Sequence, residues 1–250
     1  MADDILRKRF IELAARSYNN GIYTFTDFLG LAEQSELAAL TRELSYAGLT
    51  LFGGVEGAER VMARFGSEDE LGYLEPFPIV CVKLSPKSQK FSEDLTHRDY
   101  LGALMNLGVE RDTLGDIAVI DKSAYVFMKE GILAHVLESL TRVRHTDVTA
   151  SICESLPSGG LYKTEEITVQ VSSERLDAII ARVYHLSREN AAALFSKRLV
   201  FVQGKEISSI SYTPRAGEIV SIRGFGRFVY RGYQSNSKKG KLNVLVEKYV

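Results

Sequence analysis

The sequence predicts an α+β protein in three parts, and three observations carry that reading. The first 73 residues hold two amphipathic helical stretches with little strand character. Residues 77 to 153 alternate strand and helix patterns in the order β-α-β-β-α-β. From Arg175 onward, two short helical stripes are followed by Gly-punctuated strand patterns rich in Lys and Arg. The boundaries drawn from these patterns are 1–73 for a helix-rich N-terminal cap, 74–165 for the alternating domain and 166–250 for the C-terminal module.

In the cap, Ile5 to Ser17 has helical spacing, Asn19-Asn20-Gly21 breaks it, and Ser35 to Leu44 resumes it. Leu49 to Phe52 reads as a short strand, and Gly53-Gly54-Val55-Glu56-Gly57-Ala58-Glu59-Arg60 as the opening of a further helix. A Gly-rich turn there invites a nucleotide, but it has neither the Lys-Ser/Thr of a Walker loop nor the G-x-G-x-x-G spacing. Glu56 and Glu59 would repel phosphate, and a tight turn accounts for the glycines.

The alternating domain begins with a strand at Phe77–Leu84. A polar loop with Lys87 and Lys90 leads to a helix from about His97 to Leu107, where Thr96 and Asp99 have capping-box spacing. Asp116–Ile120 and Ala124–Met128 read as a hairpin across Asp121-Lys122-Ser123, Gly131–Leu140 as a helix and Asp147–Cys153 as the closing strand. This order is the ferredoxin-like, or RRM-like, arrangement. Its first and last strands are neighbours, which brings Cys81 toward Cys153. In the third strand, Tyr125 and Phe127 point to one face and Ala124, Val126 and Met128 to the other. Two readings stand for the aromatic pair: a second RNA surface on which bases stack, or rings buried beneath the N-terminal segment, as large aromatics usually are.

In the C-terminal module, Leu176, Ile179, Ile180 and Val183 form one buried stripe, with Arg175 and Arg182 along a flank. Ser187 is an N-cap for a second helix that buries Ala191, Leu194 and Phe195 and carries Arg188 in its first turn, where phosphates meet helix N-termini. Val200–Lys205 is a strand and turn, and Gly217–Phe228 a later strand run. Residues 174–250 contain fourteen Lys or Arg against six Asp or Glu, a net +8, and the preceding part is net −9. A near-neutral chain is thus two oppositely charged parts, and the basic one has the electrostatic footprint of a phosphate binder. The R-L-D start, the S-R-x-x-A-x-x-L helix, the V-x-V-x-G turn and the late G-E-I-V strand resemble the S4 (αL) RNA-binding domain. Two positions depart from that pattern: Arg198 stands where Gly is usual, and Gln203 where Asn is usual. The helix before Arg198 is therefore expected to close without a left-handed Gly.

Across the chain, Leu95-Thr96-His97-Arg98-Asp99-Tyr100-Leu101-Gly102-Ala103-Leu104, Gly108-Val109-Glu110-Arg111 and Gly115-Asp116-Ile117 resemble the signature of the YlmH family. Gly53-Gly54 with Ala58-Glu59-Arg60, and Arg223–Phe228 with Lys238-Lys239-Gly240, fit the same pattern. The resemblance implies binding to the large ribosomal subunit, at its rRNA and at peptidyl-tRNA or tRNA, during ribosome-associated quality control of obstructed nascent chains, and a link with cell division. It implies RNA contacts at Arg175, Ser187, Arg188, Lys197 and Arg198. Arg223, Arg227, Lys238, Lys239 and Lys241 would add phosphate contacts, and Arg182 and Lys205 complete the basic set.

Catalysis and cofactors are not expected. Arg175-Leu176-Asp177 echoes a pseudouridine-synthase triplet but lies in the binding module's first helix. His97-Arg98-Asp99 echoes a kinase loop but has Leu104 where Asn is needed. The four histidines have no metal or acid–base spacing, and Cys81 and Cys153 form neither CxxC nor a Cys/His ligand set. No apolar run reaches the ~20 residues of a membrane span, and the charged N-terminus lacks a secretion signal's apolar core, so a cytoplasmic protein is expected. The alternatives are an S4-containing RNA-modifying enzyme and an adaptor that docks division proteins through its acidic N-terminal part.

Overall fold

The computed structural model describes residues 2–154, 156, 161–237 and 240–250. Among them are seven α-helices and three antiparallel sheets, a mixed α/β protein. The chain divides into two compact units, Met1–Leu161 and Tyr162–Val250.

The first unit opens with α1 (Ala2–Asn20), β1 (Thr24–Phe25), α2 (Leu31–Leu40), β2 (Leu49–Phe52), β3 (Met62–Phe65) and the single turn α3 (Glu68–Leu71). Phe10 and Ala14, one helical turn apart on α1, bury against Leu37, Leu40 and Leu44 and against Phe65 of β3. The small sheet has the order β1-β3-β2. Only β2 was expected from the sequence, and the helix expected to open at Gly53 does not form: residues 53–61 are a loop joining β2 to β3. Tertiary contacts hold that loop. Asp116 Oδ2 accepts from the backbone N–H of Glu59 at 2.6 Å and of Arg60 at 3.2 Å. The Arg60 guanidinium donates to the carbonyls of Leu114 and Phe28. A Cβ on Gly53 would lie 2.4 Å from both Ala58 and the Arg60 carbonyl, so only glycine fits.

The unit continues with β4 (Ile79–Pro86), α4 (His97–Asn106), β5 (Leu114–Ile120), β6 (Ser123–Lys129), α5 (Leu133–Ser139), β7 (Arg142–Val143) and β8 (Thr146–Cys153). The helix expected over Gly131–Leu140 starts as a 3-10 turn at Glu130–Ile132. The sheet order is β5-β6-β4-β8-β7. As the spacing predicts, the Thr96 N–H donates to Asp99 Oδ2 at 2.8 Å at the start of α4. Asp121 and Lys122, both at positive φ, make the two-residue loop between β5 and β6. Tyr100, Leu104 and Val136 of the two helices pack on Val82, Leu84, Ala124, Val126 and Met128 of the sheet. Cys81 and Cys153 stand directly opposite in the β4/β8 register. Burial, together with the neighbouring Cys153, pushes the Cys81 thiol up to about 12.

The second unit contains β9 (Thr164–Val171), α6 (Leu176–Val183), α7 (Arg188–Ser196), β10 (Val200–Val202), β11 (Lys205–Glu206), β12 (Ile219–Ile222), β13 (Gly226–Asn236) and β14 (Leu242–Tyr249). Its sheet order is β11-β10-β12-β13-β14-β9. The predicted stripe of α6 and the predicted face of α7 pack on Val200, Val220, Phe228, Tyr230 and Val246. The run read as one late strand is a hairpin: Ile222 opposes Gly226 across Arg223-Gly224-Phe225. Ser235 and Asn236 are paired with Asn243 and Leu242.

Candidate nucleic-acid interface

Two basic positions of the second unit, Arg175 and Arg188, meet at the start of its two helices. The Leu176 N–H donates to the Tyr212 carbonyl at 2.8 Å. Tyr212 in turn donates its hydroxyl to Glu218 at 2.9 Å. Burial and this carboxylate raise the phenol to about 12. The Tyr230 hydroxyl donates to Glu174, and burial followed by that bond raises its phenol also. These ties fix the entry of α6, where Arg175 is the N-cap.

Asp177, on the first turn of α6, is buried. Its Oδ1 is 3.2 Å from Arg175 Nε and its Oδ2 is 2.7 Å from Arg188 Nη2 on α7. One carboxylate therefore clamps two guanidiniums from different helices, each about half exposed. The neighbour found for Arg175 is Asp177, and through it Arg188, while Arg182 is exposed in the last turn of α6. Ser187 Oγ accepts from the Asn190 N–H at 3.1 Å, the N-cap bond that the sequence predicts.

At its C-terminus, α7 closes without glycine, as expected, yet in the left-handed way. Arg198 takes φ +57, its N–H donates to the Phe195 carbonyl at 3.0 Å, and the Leu199 N–H donates to the Leu194 carbonyl at 3.0 Å. That pattern is a Schellman closure with Arg at the glycine position. The Arg198 guanidinium reaches Glu206 at 2.8 Å, and Lys197 and Lys205 are exposed nearby in the chain. Gln203 and Gly204, both at positive φ, form the β10–β11 turn, and Gln203 Oε1 accepts from the Ile219 N–H at 2.9 Å.

Arg223 and Arg227 are laid on aromatic rings. The Arg223 guanidinium is 4.4 Å from the centre of Phe201, and Arg227 lies 4.3 Å from Tyr249 and 4.9 Å from Tyr162. Lys241 is exposed in the β13–β14 turn, where its N–H donates to Ser237 Oγ. Lys238 and Lys239 lie outside the described residues.

Tyr125 and Phe127 do project from the face of β6 opposite α4 and α5, but they are only 5% and 4% exposed. The Gly54 backbone lies against the Phe127 ring, where a Cβ would come within 2.4 Å, and the Gly115 backbone lies against Phe28 and Phe127. Of the two readings of this pair, burial beneath the N-terminal segment is the one found and the second RNA surface is not: neither ring presents a face on which a base can stack.

Asp177, Phe201, Tyr162 and Tyr249 are the site-forming residues that the sequence reading passed over. For Asp177 a signal existed, an acid two residues after Arg175 at the start of a helix whose other face is apolar.

Residues 75–155 match a family model described as "Putative RNA-binding domain in YlmH". Over 231 residues the chain is 30% identical to the "Ribosome-associated protein quality control protein P2" of Bacillus subtilis (strain 168), covering 89% of this chain and 86% of that protein. The chain belongs to the YlmH family. A solved structure titled "Cell division protein ylmH from Streptococcus pneumoniae" is 22% identical, covers 61% of this chain and 92% of its own, and gives a TM-score of 0.49. Of the YlmH signature residues, Thr96 and Asp99 cap α4, and Gly53, Glu59, Arg60 and Asp116 build the loop joining β2 to β3. Among the described residues no helix is long and apolar enough to cross a membrane.

Proposed function

We propose that this protein is a non-catalytic RNA binder of the cytoplasm that grips large-subunit rRNA, and tRNA held there, in ribosome-associated quality control. The observation that carries the reading is the clamp of Arg175 and Arg188 on Asp177, which presents two guanidinium forks in fixed positions. In this reading Arg182, Ser187, Lys197, Arg198, Lys205, Arg223, Arg227, Lys238, Lys239 and Lys241 are further phosphate contacts. Residues 166–250 act as an S4-like domain, 74–165 as a ferredoxin-like, RRM-like domain, and 1–73 as its cap. The β5-β6-β4-β8 order supports the second assignment, and the α6–α7 pair over a sheet supports the first. The name of the Bacillus relative supports the ribosomal setting.

Phosphate neutralisation releases counterions, so binding falls steeply with salt. In a sucrose gradient of cell lysate, the protein travels with large subunits at low salt and leaves them at high salt. Free migration at every salt concentration would remove this reading in favour of an adaptor that docks other proteins.

A further inference from the structure

A polar groove of about 530 Å³ lies on the helix-bearing side of the five-stranded sheet, within the segment that matches the family's RNA-binding model. One wall is α4, where Arg98, Gly102 and Asn106 follow at i, i+4 and i+8 along one side of the helix. The opposite wall runs from the end of α5 into the β7–β8 hairpin and carries Thr141, Arg142 and Arg144.

Three features of this groove bear on what it can hold. Gly102 sits exposed in the interior of α4, and a Cβ there would meet nothing within 4 Å. Neither backbone geometry nor packing asks for glycine, which is a poorer helix residue than alanine. Arg144 takes φ +51 in the two-residue loop between Val143 and Thr146, a conformation that suits Gly or Asn better. Its guanidinium is aimed into the groove and held 3.3 Å from Asp99 Oδ1. Arg98 is exposed and has no carboxylate partner among the described residues. Arg142 and Arg144 have one each, Asp147 and Asp99, but both pairs are solvent-exposed on the arginine side and leave donors of each planar fork available.

We infer that this groove binds the sugar-phosphate backbone of RNA, with Arg98, Arg142 and Arg144 on phosphate oxygens and the bare Cα of Gly102 letting the strand approach α4. The inference rests on the RNA-binding reading above and gives it a contact surface in residues 75–155, where Tyr125 and Phe127 are unavailable. Glycine where a ligand must approach the backbone closely, and arginine where phosphate must be held by more than one donor, are the residue types such a site requires. Asn106 and Thr141 add neutral donors along the same walls.

The test uses the full chain and a fluorescently labelled RNA hairpin, with anisotropy read across a salt series. Arg98→Ala/Arg142→Ala/Arg144→Ala weakens binding about tenfold or more at low salt and lowers the slope of log affinity against log salt by about two to three. Gly102→Ala unfolds no earlier than the parent yet binds the hairpin several-fold more weakly, an outcome that a structural glycine would not give. Arg182→Ala/Lys197→Ala, outside the groove, separates the two readings. If it weakens binding while both groove variants bind as the parent does, the groove inference fails and the wider reading stands. If the parent itself shows no affinity for the hairpin, both fail. Uptake of a polyglutamate peptide that the triple variant loses, with hairpin affinity unchanged, would assign the groove to an acidic protein partner and overturn the inference.

Discussion

Arg188 Nη2 lies 2.7 Å from Asp177 Oδ2, joining a carboxylate side chain 4% exposed to a guanidinium 48% exposed. Arg175 approaches the other carboxylate oxygen from the start of α6. The shared acid cancels one of the two positive charges and restricts the motion of both side chains. What remains is a pair of forks whose ordering cost is already met, and pre-organisation of this kind would add affinity for a phosphate without adding contacts.

Asp177→Asn separates position from charge. The variant is one unit more positive, so a surface that works by net charge alone would bind RNA more tightly. With the clamp as the working feature, affinity falls several-fold despite the added charge. Unfolding free energy drops by about 1.5 to 3 kcal/mol, the usual range for hydrogen bonds to charged groups. Urea denaturation reads the stability and anisotropy on a labelled RNA reads the affinity; tighter binding by the variant would rule out a positioning role for Asp177.

Arg198→Gly tests a residue that sits uncomfortably in the fold. Left-handed backbone costs a non-glycine residue roughly 1 to 2 kcal/mol, whereas the solvent-exposed pair with Glu206 contributes little. The variant therefore unfolds at a higher temperature, or no lower, than the parent. If Arg198 also touches phosphate, the salt slope falls by about one. A variant that is stabilised with its slope unchanged would remove Arg198 from the interface and leave it a local feature of the helix end.

The parts of the fold legible in the sequence are those that local chemistry specifies. The Leu176, Ile179, Ile180, Val183 stripe, the Ser187 cap and the Thr96/Asp99 box each act within a turn or two of helix, and each is present as read. The Gly53–Arg60 segment misled because its glycines answer to distant partners, Gly54 to Phe127 and the loop's N–H groups to Asp116. The extent of the second sheet was equally hidden. Ile167, Val169 and Val171 alternate as a strand should, but β9 pairs with β14 at the far end of the unit, and nothing near it in sequence points there. In the second unit, charge counting found the basic residues and treated Asp177 as one charge to subtract, although its burial between Arg175 and Arg188 makes it the group that organises them.

Glu247 gives the second unit a definite response to acid. It lies on β14 between β9 and β13, accepts from the Thr164 hydroxyl at 2.6 Å and is paired with Arg231. The Thr164 bond first, and then Arg231, hold its carboxyl below the ordinary value of 4.5. A carboxyl depressed in the folded state binds fewer protons there than in the unfolded chain. Its stabilisation is therefore present above about pH 4.5 and is lost as the pH falls through the lower folded value. Glu247→Gln cannot titrate, so the stability gap between parent and variant is widest near neutral pH and narrows as the solution is acidified below about pH 4.5. Urea titrations of both proteins at stepped pH measure that gap; one that stays constant into acid would show that Glu247 does not tie β9 and β13 to β14 through its charge.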